Sequence, residues 1–143
     1  MAKLRTEEKT AKINLTNLTQ YVSWLHSFMS EGTYDAKCVL VEVKGIQYLH
    51  VEREGILHEE ILEAILEHHR IAYARSLRGY LPAPEGEQYK CLALGWANFD
   101  IGKEEILFSR CNQDYNLPFK QENQPVLEKI VKTVLPRWEV YVV

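Results

Sequence analysis

The stretch Lys37–Val51, KCVLVEVKGIQYLHV, decides the fold of this chain. Apolar residues, many of them β-branched, dominate both halves and flank Lys44-Gly45, a two-residue turn typical of a tight β-hairpin. Because such a turn fixes the register, both faces of the hairpin are predicted to be largely apolar and covered by other elements or by a partner. The predicted pairs are Val43 with Ile46, Val41 with Tyr48 and Val39 with His50 on one face, and Leu40 with Leu49 and Cys38 with Val51 on the other.

Apolar residues recur at helical spacing in three segments around this hairpin. Asn17 and Gln20 make a capping-box pattern at the start of the first segment, and Gly32 stands where a left-handed residue would end it. The second segment runs from about His58 to His69, with its glutamates facing water, and Pro125 suits the first turn of the third. The predicted buried stripes are Leu18, Tyr21, Val22, Leu25, Phe28 and Met29; Ile61, Leu62, Ile65 and Leu66; and Val126, Leu127, Ile130, Val131 and Val134.

Further strands are predicted at Tyr89–Asn98, Glu105–Cys111 and Trp138–Val143. The segment Ile71–Tyr80 fits either a continuation of the second helix or a strand, and its tyrosines favour a strand. The element order is then α-β-β-α-β-β-β-α-β. It predicts an α+β fold in a single domain over residues 14–143, with three helices on a mostly antiparallel sheet of five to six strands. Residues 1–13 are expected to form a solvated lead-in.

Composition restricts the class of protein. A chain of 143 residues that is 46% apolar and 26% charged fits one globular domain. No apolar run approaches the ~20 residues needed to cross a bilayer, and no signal-peptide pattern follows the charged N-terminus. We therefore expect a cytoplasmic protein without membrane association. Cys38, Cys91 and Cys111 form no CxxC pair, which excludes a zinc ribbon and a thioredoxin-type redox pair.

The common catalytic and nucleotide-binding motifs are absent from the sequence. His58-Glu59-Glu60-Ile61-Leu62 begins like HExxH but has leucine where the second histidine is required. GxSxG, SxxK, GxGxxG and GxxxxGK[ST] do not occur. His58 and His69 are separated by about three helical turns, roughly 16 Å, so one metal ion cannot bridge them. The sequence therefore predicts no metal site and no cofactor.

The strongest functional signal is the stretch His68–Leu81, HHRIAYARSLRGYL, which has three arginines, two histidines, two tyrosines and no acid. It follows Glu52–Glu67, where six glutamates accompany one arginine, in a chain of net charge −3. The planar guanidinium of arginine binds carboxylates and phosphates, and tyrosine offers a stacking partner. Alternatively, the arginines form surface ion pairs with the preceding glutamates and bind no ligand. Each such pair would contribute about 0–1 kcal/mol to stability. The candidate ligand-binding or partner-binding residues are Arg70, Tyr73, Arg75, Arg78, Tyr80, His68 and His69.

Two functions of different classes fit these residues. The first is a small intracellular, non-catalytic binding or regulatory protein. It would engage an acidic protein surface, a nucleotide or a nucleic-acid strand through the arginine–tyrosine patch, or inhibit a larger partner through its acidic helix. Nucleic acid is the less favoured partner because the chain is acidic overall. The apolar terminal strand could also pair edge to edge with a second copy to form a homodimer.

The second function is that of a small hydrolase or phosphodiesterase that uses His58, His68 or His69 with a nearby carboxylate. A histidine facing a carboxylate in a cleft would favour this enzyme. A flat surface of arginine and tyrosine without a cleft would favour the binding protein.

Overall fold

The computed structural model of the chain describes residues 17–53, 55–74, 82–84, 86–109 and 117–143. The predicted lead-in over residues 1–13 lies outside this part of the chain. The helices are α1 (Leu18–His26), α2 (His58–His68) and α3 (Gln124–Val134), the last preceded by a 3₁₀ turn at Gln121–Asn123. The strands are β1 (Thr33–Val43), β2 (Ile46–Arg53), β3 (Tyr73–Ala74), β4 (Ala83–Pro84), β5 (Tyr89–Asp100), β6 (Glu105–Ser109) and β7 (Glu139–Val142).

The predicted hairpin of β1 and β2 is confirmed, with every predicted pair in register. Lys44 has φ 52° and Gly45 has φ 82°. Two successive residues with positive φ form the type of turn whose twist matches the flanking strands. The turn chemistry and the alternation of apolar residues therefore determine this part of the fold locally.

Five strands form one sheet in the order β2-β1-β5-β6-β7. All neighbours pair antiparallel except β6 and β7, which run parallel. The predicted α+β class, with three helices on a mostly antiparallel sheet, is thus confirmed. The chain reaches the parallel position of β7 because α3 carries it back across the sheet, as a parallel connection requires.

Helices cover both faces of this sheet. Leu40 and Leu49 belong to a core cluster with Leu18 of α1 and Leu127 of α3. Residues of the opposite parity, such as Val41, belong to a second cluster with the buried stripe of α2. The predicted two-sided cover of the hairpin is therefore provided by the chain itself.

Helix α1 differs from its prediction at both ends. The side chain of Asn17 makes no cap; instead its Oδ1 accepts from the N–H of Val51 at 2.9 Å and its Nδ2 donates to the carbonyl of Val51. The helix ends at His26, well before Gly32, and the Ser27 hydroxyl donates to the Trp24 carbonyl. A serine that bonds the backbone in this way competes with helix continuation.

Helix α2 carries the predicted buried stripe, but its polar face is not uniformly solvated. Glu59, which was expected to face water, is only 7% exposed. The helix ends at His68, and Tyr73–Ala74 pairs with Ala83–Pro84 as a short strand ladder. The predicted strand over 71–80 therefore holds for Tyr73 and Ala74, whereas residues 75–80 lie outside the described residues.

Among the described residues, no helix is long and apolar enough to span a membrane.

Candidate functional site

Side chains from one face of β2 and one face of α2 line a pocket between these two elements. Alternate residues of β2, Tyr48, His50 and Glu52, lie on the face of the sheet that α2 covers. Residues three and four apart on α2 face this strand. The pocket has a volume of about 240 Å³, and we call it the histidine pocket. It is lined by Asn17, Tyr48, His50, Glu52, Ile61, Ala64, Ile65, His68 and His69.

Aromatic and imidazole rings make up one side of the histidine pocket. The Tyr48 ring, 1% exposed, lies with its centroid 5.1 Å from that of His69 and 6.4 Å from that of His50. The rings of His68 and His69 are 5.1 Å apart and nearly perpendicular, at 89°. Ile61, Ala64 and Ile65 complete the pocket with apolar surface. The site therefore combines an apolar body with three imidazoles.

His50 has the most strongly perturbed environment of these three histidines. The pKa of its imidazole is lowered to about 4, chiefly by burial and to a smaller extent by nearby His69 and His68, because like charges oppose its protonation. At neutral pH His50 is therefore uncharged and can both donate and accept a hydrogen bond. Glu52, two residues along the same strand, places a carboxylate in the same pocket.

The C-terminal end of α2 positions His68, His69 and Arg70. The N–H of Ile71 donates to the Leu66 carbonyl at 2.9 Å, and that of Arg70 donates to the Glu67 carbonyl at 3.1 Å. These bonds form a Schellman motif, in which Arg70, with φ 57°, takes the left-handed position that glycine usually fills. The partial negative charge at this helix end interacts favourably with the Arg70 guanidinium.

The structure brings together only part of the predicted arginine–tyrosine patch. His68 and His69 line the histidine pocket, and Arg70 is exposed beside them in the chain. The Tyr73 hydroxyl donates to Glu67 Oε1 at 2.9 Å, which ties β3 to α2. The other three predicted residues, Arg75, Arg78 and Tyr80, lie outside the described residues.

His58 is separate from the other two histidines of the predicted hydrolase site. Its side chain is 1% exposed, its Nε2–H donates to the Gly95 carbonyl at 3.0 Å, and its ring lies 5.2 Å from that of Trp96. Burial lowers its pKa, although the bond to Gly95 opposes this effect. His58 therefore joins the start of α2 to β5 and does not line the histidine pocket.

The two described cysteines are poorly suited to nucleophilic catalysis. Cys38 is fully buried, and burial raises the pKa of its thiol. Burial also raises the pKa of Cys91 to about 12. Because the thiolate is the nucleophile, both groups are unreactive at neutral pH. The third cysteine, Cys111, lies outside the described residues.

Within the described ranges, no three His, Cys, Asp or Glu side chains converge in a way that could hold a metal ion. The three pocket histidines share a cavity without forming a ligand set. In comparisons with known proteins, no family model and no curated protein matches the chain.

Sequence reasoning missed His50, Tyr48 and Glu52 as site residues. The signal was present in the alternation of Tyr48, His50 and Glu52 along one strand face, opposite a helix whose stripe ends in His68. These residues form a site only because α2 lies beside β2. Neither the alternation in the strand nor the helical spacing in α2 specifies that contact.

Proposed function

We propose that this protein is a small, non-catalytic binding protein whose ligand is a small organic anion held in the histidine pocket. The observation that carries the proposal is the convergence of His50, His68 and His69 on one cavity, where three imidazoles oppose the negative charge of Glu52 and of the α2 C-terminus. Imidazoles present N–H groups to carboxylate or phosphate oxygens, and charge-assisted bonds of this kind are stronger than neutral ones.

The shape and composition of the pocket indicate the class of anion. Its volume lies somewhat below the roughly 300–1,000 Å³ typical of sites for drug-sized ligands. Ile61, Ala64, Ile65 and Tyr48 provide surface for an apolar or aromatic body. An aromatic carboxylate or phosphate monoester fits this chemistry better than an inorganic ion. Arg70, exposed next to His69, adds a guanidinium near the same helix end.

The partner, the regulatory role and the location that we propose are based on the sequence. Arg75, Arg78 and Tyr80, with Tyr73, would extend the cationic surface beyond the pocket toward an acidic protein, a nucleotide or a nucleic-acid strand. A regulatory role, with the exposed glutamates Glu60 and Glu67 of α2 presented to a larger partner, belongs to the same proposal. A cytoplasmic location is part of the same proposal.

Titration with defined anions tests the binding proposal. Phenyl phosphate and benzoate, followed by calorimetry and by shifts of the histidine ring resonances, should bind more tightly than inorganic phosphate. Hydrogen bonds to charged groups contribute about 1.5–3 kcal/mol, so the double variant His68→Ala/His69→Ala should weaken phenyl phosphate binding at least about tenfold. His26→Ala, an exposed histidine on α1, is the matched control and should bind like the native chain.

Two outcomes would contradict the proposal. One is that neither aromatic anion perturbs His50, His68 or His69. The other is that both bind, but with an affinity that the double variant leaves unchanged. The second result would place the anion site elsewhere on the molecule.

The hydrolase remains a second candidate because Glu52 lines the same cavity as the three imidazoles. A histidine and a carboxylate in one pocket are the groups that general acid–base catalysis uses. The structure changes the residues of this candidate: His50 replaces the enclosed His58. Turnover of p-nitrophenyl acetate or p-nitrophenyl phosphate, lost in both His50→Gln and Glu52→Gln, would favour the enzyme over the binding protein.

A further inference from the structure

The outer edge of β7 carries side-chain amides where another strand would pair. The N–H groups of Glu139 and Val143 point inward and donate to the Glu104 and Phe108 carbonyls of the β6 side, each at 2.9 Å. The intervening residues Val140 and Val142 consequently turn backbone groups outward. An unpaired row of such groups is a template for strand addition.

Gln124, at the start of α3, occupies this outer row. Its Oε1 accepts from the N–H of Val142 at 3.0 Å, and its Nε2 donates to the carbonyl of Val140 at 2.6 Å. Gln121 donates its Nε2 to the carbonyl of Val142 at 2.6 Å. Glu128, one turn further along α3, accepts from Gln124 Nε2 at 3.0 Å and thereby orients the amide. One carboxamide thus presents a donor and an acceptor as a peptide group does.

The opposite edge of the sheet has a related arrangement. Asn17 pairs with both the N–H and the carbonyl of Val51 on β2, again through one carboxamide. Both edge strands of the five-stranded sheet therefore hold an amide side chain that imitates a strand. This repetition at two unrelated positions indicates a structural role for the amides at the edges.

We infer that the outer edge of β7 is a pairing surface for β7 of a second copy of this chain, and that Gln124, together with Gln121 on the Val142 carbonyl, keeps it closed. In an antiparallel two-fold pair centred on Tyr141, the Val142 N–H of one copy meets the Val140 carbonyl of the other. Those are the two groups that Gln124 now occupies. Such a contact uses the same patch on both subunits, as two-fold interfaces require.

The sequence and exposure of β7 favour a second copy as the occupant. EVYVV consists largely of β-branched and aromatic residues, without proline. Tyr141 is 46% exposed and Val143 is 74% exposed, so apolar surface is present beside the edge. In the two-fold register Glu139 faces Val143 of the other copy, so the only charged residue of the strand does not oppose itself.

Sedimentation velocity of Gln124→Met tests the inference, because methionine has a similar length and cannot form these hydrogen bonds. The native chain should sediment as a 16.7 kDa species, and Gln124→Met should form a species of twice that mass as concentration rises. Thr133→Ala, an exposed position on the same helix, is the control and should behave like the native chain. Gln121→Ala/Gln124→Ala serves as a second opening variant, because it also frees the Val142 carbonyl that Gln121 occupies.

A charge added at the centre of the pair identifies the surface. In the variant Gln124→Met/Tyr141→Lys, two lysines would meet at the two-fold axis, and the species should return to 16.7 kDa. The inference is overturned if the native chain already dimerises through β7, or if both opening variants fold and stay monomeric while the Val142 amide exchanges faster. A dimer that persists after Tyr141→Lys would also overturn it, since pairing would then use another surface. None of these results depends on whether the histidine pocket binds anions.

Discussion

His50 shows how a single residue links the pocket to the stability of the fold. In the unfolded chain its imidazole has an ordinary pKa near 6.5, whereas in the folded chain burial lowers the pKa to about 4. The unfolded state therefore binds the proton more readily. Above pH 6.5 His50 is neutral in both states and does not reduce the free energy of unfolding. As the pH falls from 6.5 toward 4, protonation of the unfolded state lowers that free energy progressively. The burial of His50 in the histidine pocket thus makes the fold sensitive to acid.

Replacing His50 by glutamine should reduce this acid sensitivity. Between pH 7 and pH 5 the native chain should lose on the order of 1–2 kcal/mol of unfolding free energy through His50, and His50→Gln should not lose that part. The remaining loss includes His58, whose pKa is also lowered by burial. Urea unfolding at both pH values measures this change in unfolding free energy, and His26→Gln, at an exposed position of α1, is the control. Equal losses in His50→Gln and the native chain would show that His50 protonates as readily folded as unfolded.

Proton linkage at the same residue also connects stability to binding. An anion placed against His50 would favour its charged form and raise its pKa again. Binding at moderately acid pH would then take up a proton and offset the acid loss. His69, His68, Glu52 and Tyr48 share the pocket with His50, so their polar groups set the size of this effect.

At the scale of elements, the end of α2 holds a conformation that its sequence does not favour. Arg70 adopts φ 57° at the position where glycine has no steric penalty. Strained residues of this kind are often found at functional sites. Lys44, with φ 52° in the hairpin turn, is a comparable non-glycine residue away from the histidine pocket.

The variant Arg70→Gly should distinguish the effect of this conformation on stability from any role of the Arg70 side chain in binding. Relief of about 1–2 kcal/mol of left-handed strain, less the entropic cost of about 0.5–1 kcal/mol for glycine, should raise the free energy of unfolding by about 0.5–1 kcal/mol. If Arg70 contributes its charge to the anion site, phenyl phosphate binding should weaken at the same time. Lys44→Gly should gain similar stability and keep its affinity. A loss of stability in Arg70→Gly would mean that the side chain itself supports the helix end.

The elements also show what the sequence could and could not predict. The pairing of Val41 with Tyr48 followed from a two-residue turn and alternation, which are local, and the stripes of α2 and α3 followed from helical spacing. Asn17 was predicted to cap α1, yet Val51 on β2 receives its amide, because the tertiary contact satisfies two backbone groups at once. The site at His50 and Glu52 escaped prediction for the same reason: it depends on which helix lies over which strand.

At the scale of the whole molecule, one sheet supports two apolar clusters. Leu40 belongs to the cluster with α1 and α3, and its neighbour Val41 belongs to the cluster with α2. Successive residues of β1 enter opposite clusters. If one cluster loses its packing, β1 is disturbed, and the other cluster is affected because it depends on the same strand. This arrangement predicts cooperative unfolding of the two layers.

The tryptophans allow each layer to be followed separately. Trp138, 3% exposed, belongs to the cluster with α1 and α3, whereas Trp96 lies against His58 at the start of α2. Variants that keep one reporter, Trp24→Phe/Trp96→Phe and Trp24→Phe/Trp138→Phe, should each be compared with far-ultraviolet circular dichroism of the same protein during urea unfolding. Coincident transitions are expected within each variant, because the shared sheet couples the layers. A Trp96 transition at lower urea than the loss of strand signal would instead show that α2 separates first. The histidine pocket would then open without global unfolding, and its ligand would stabilise one layer only.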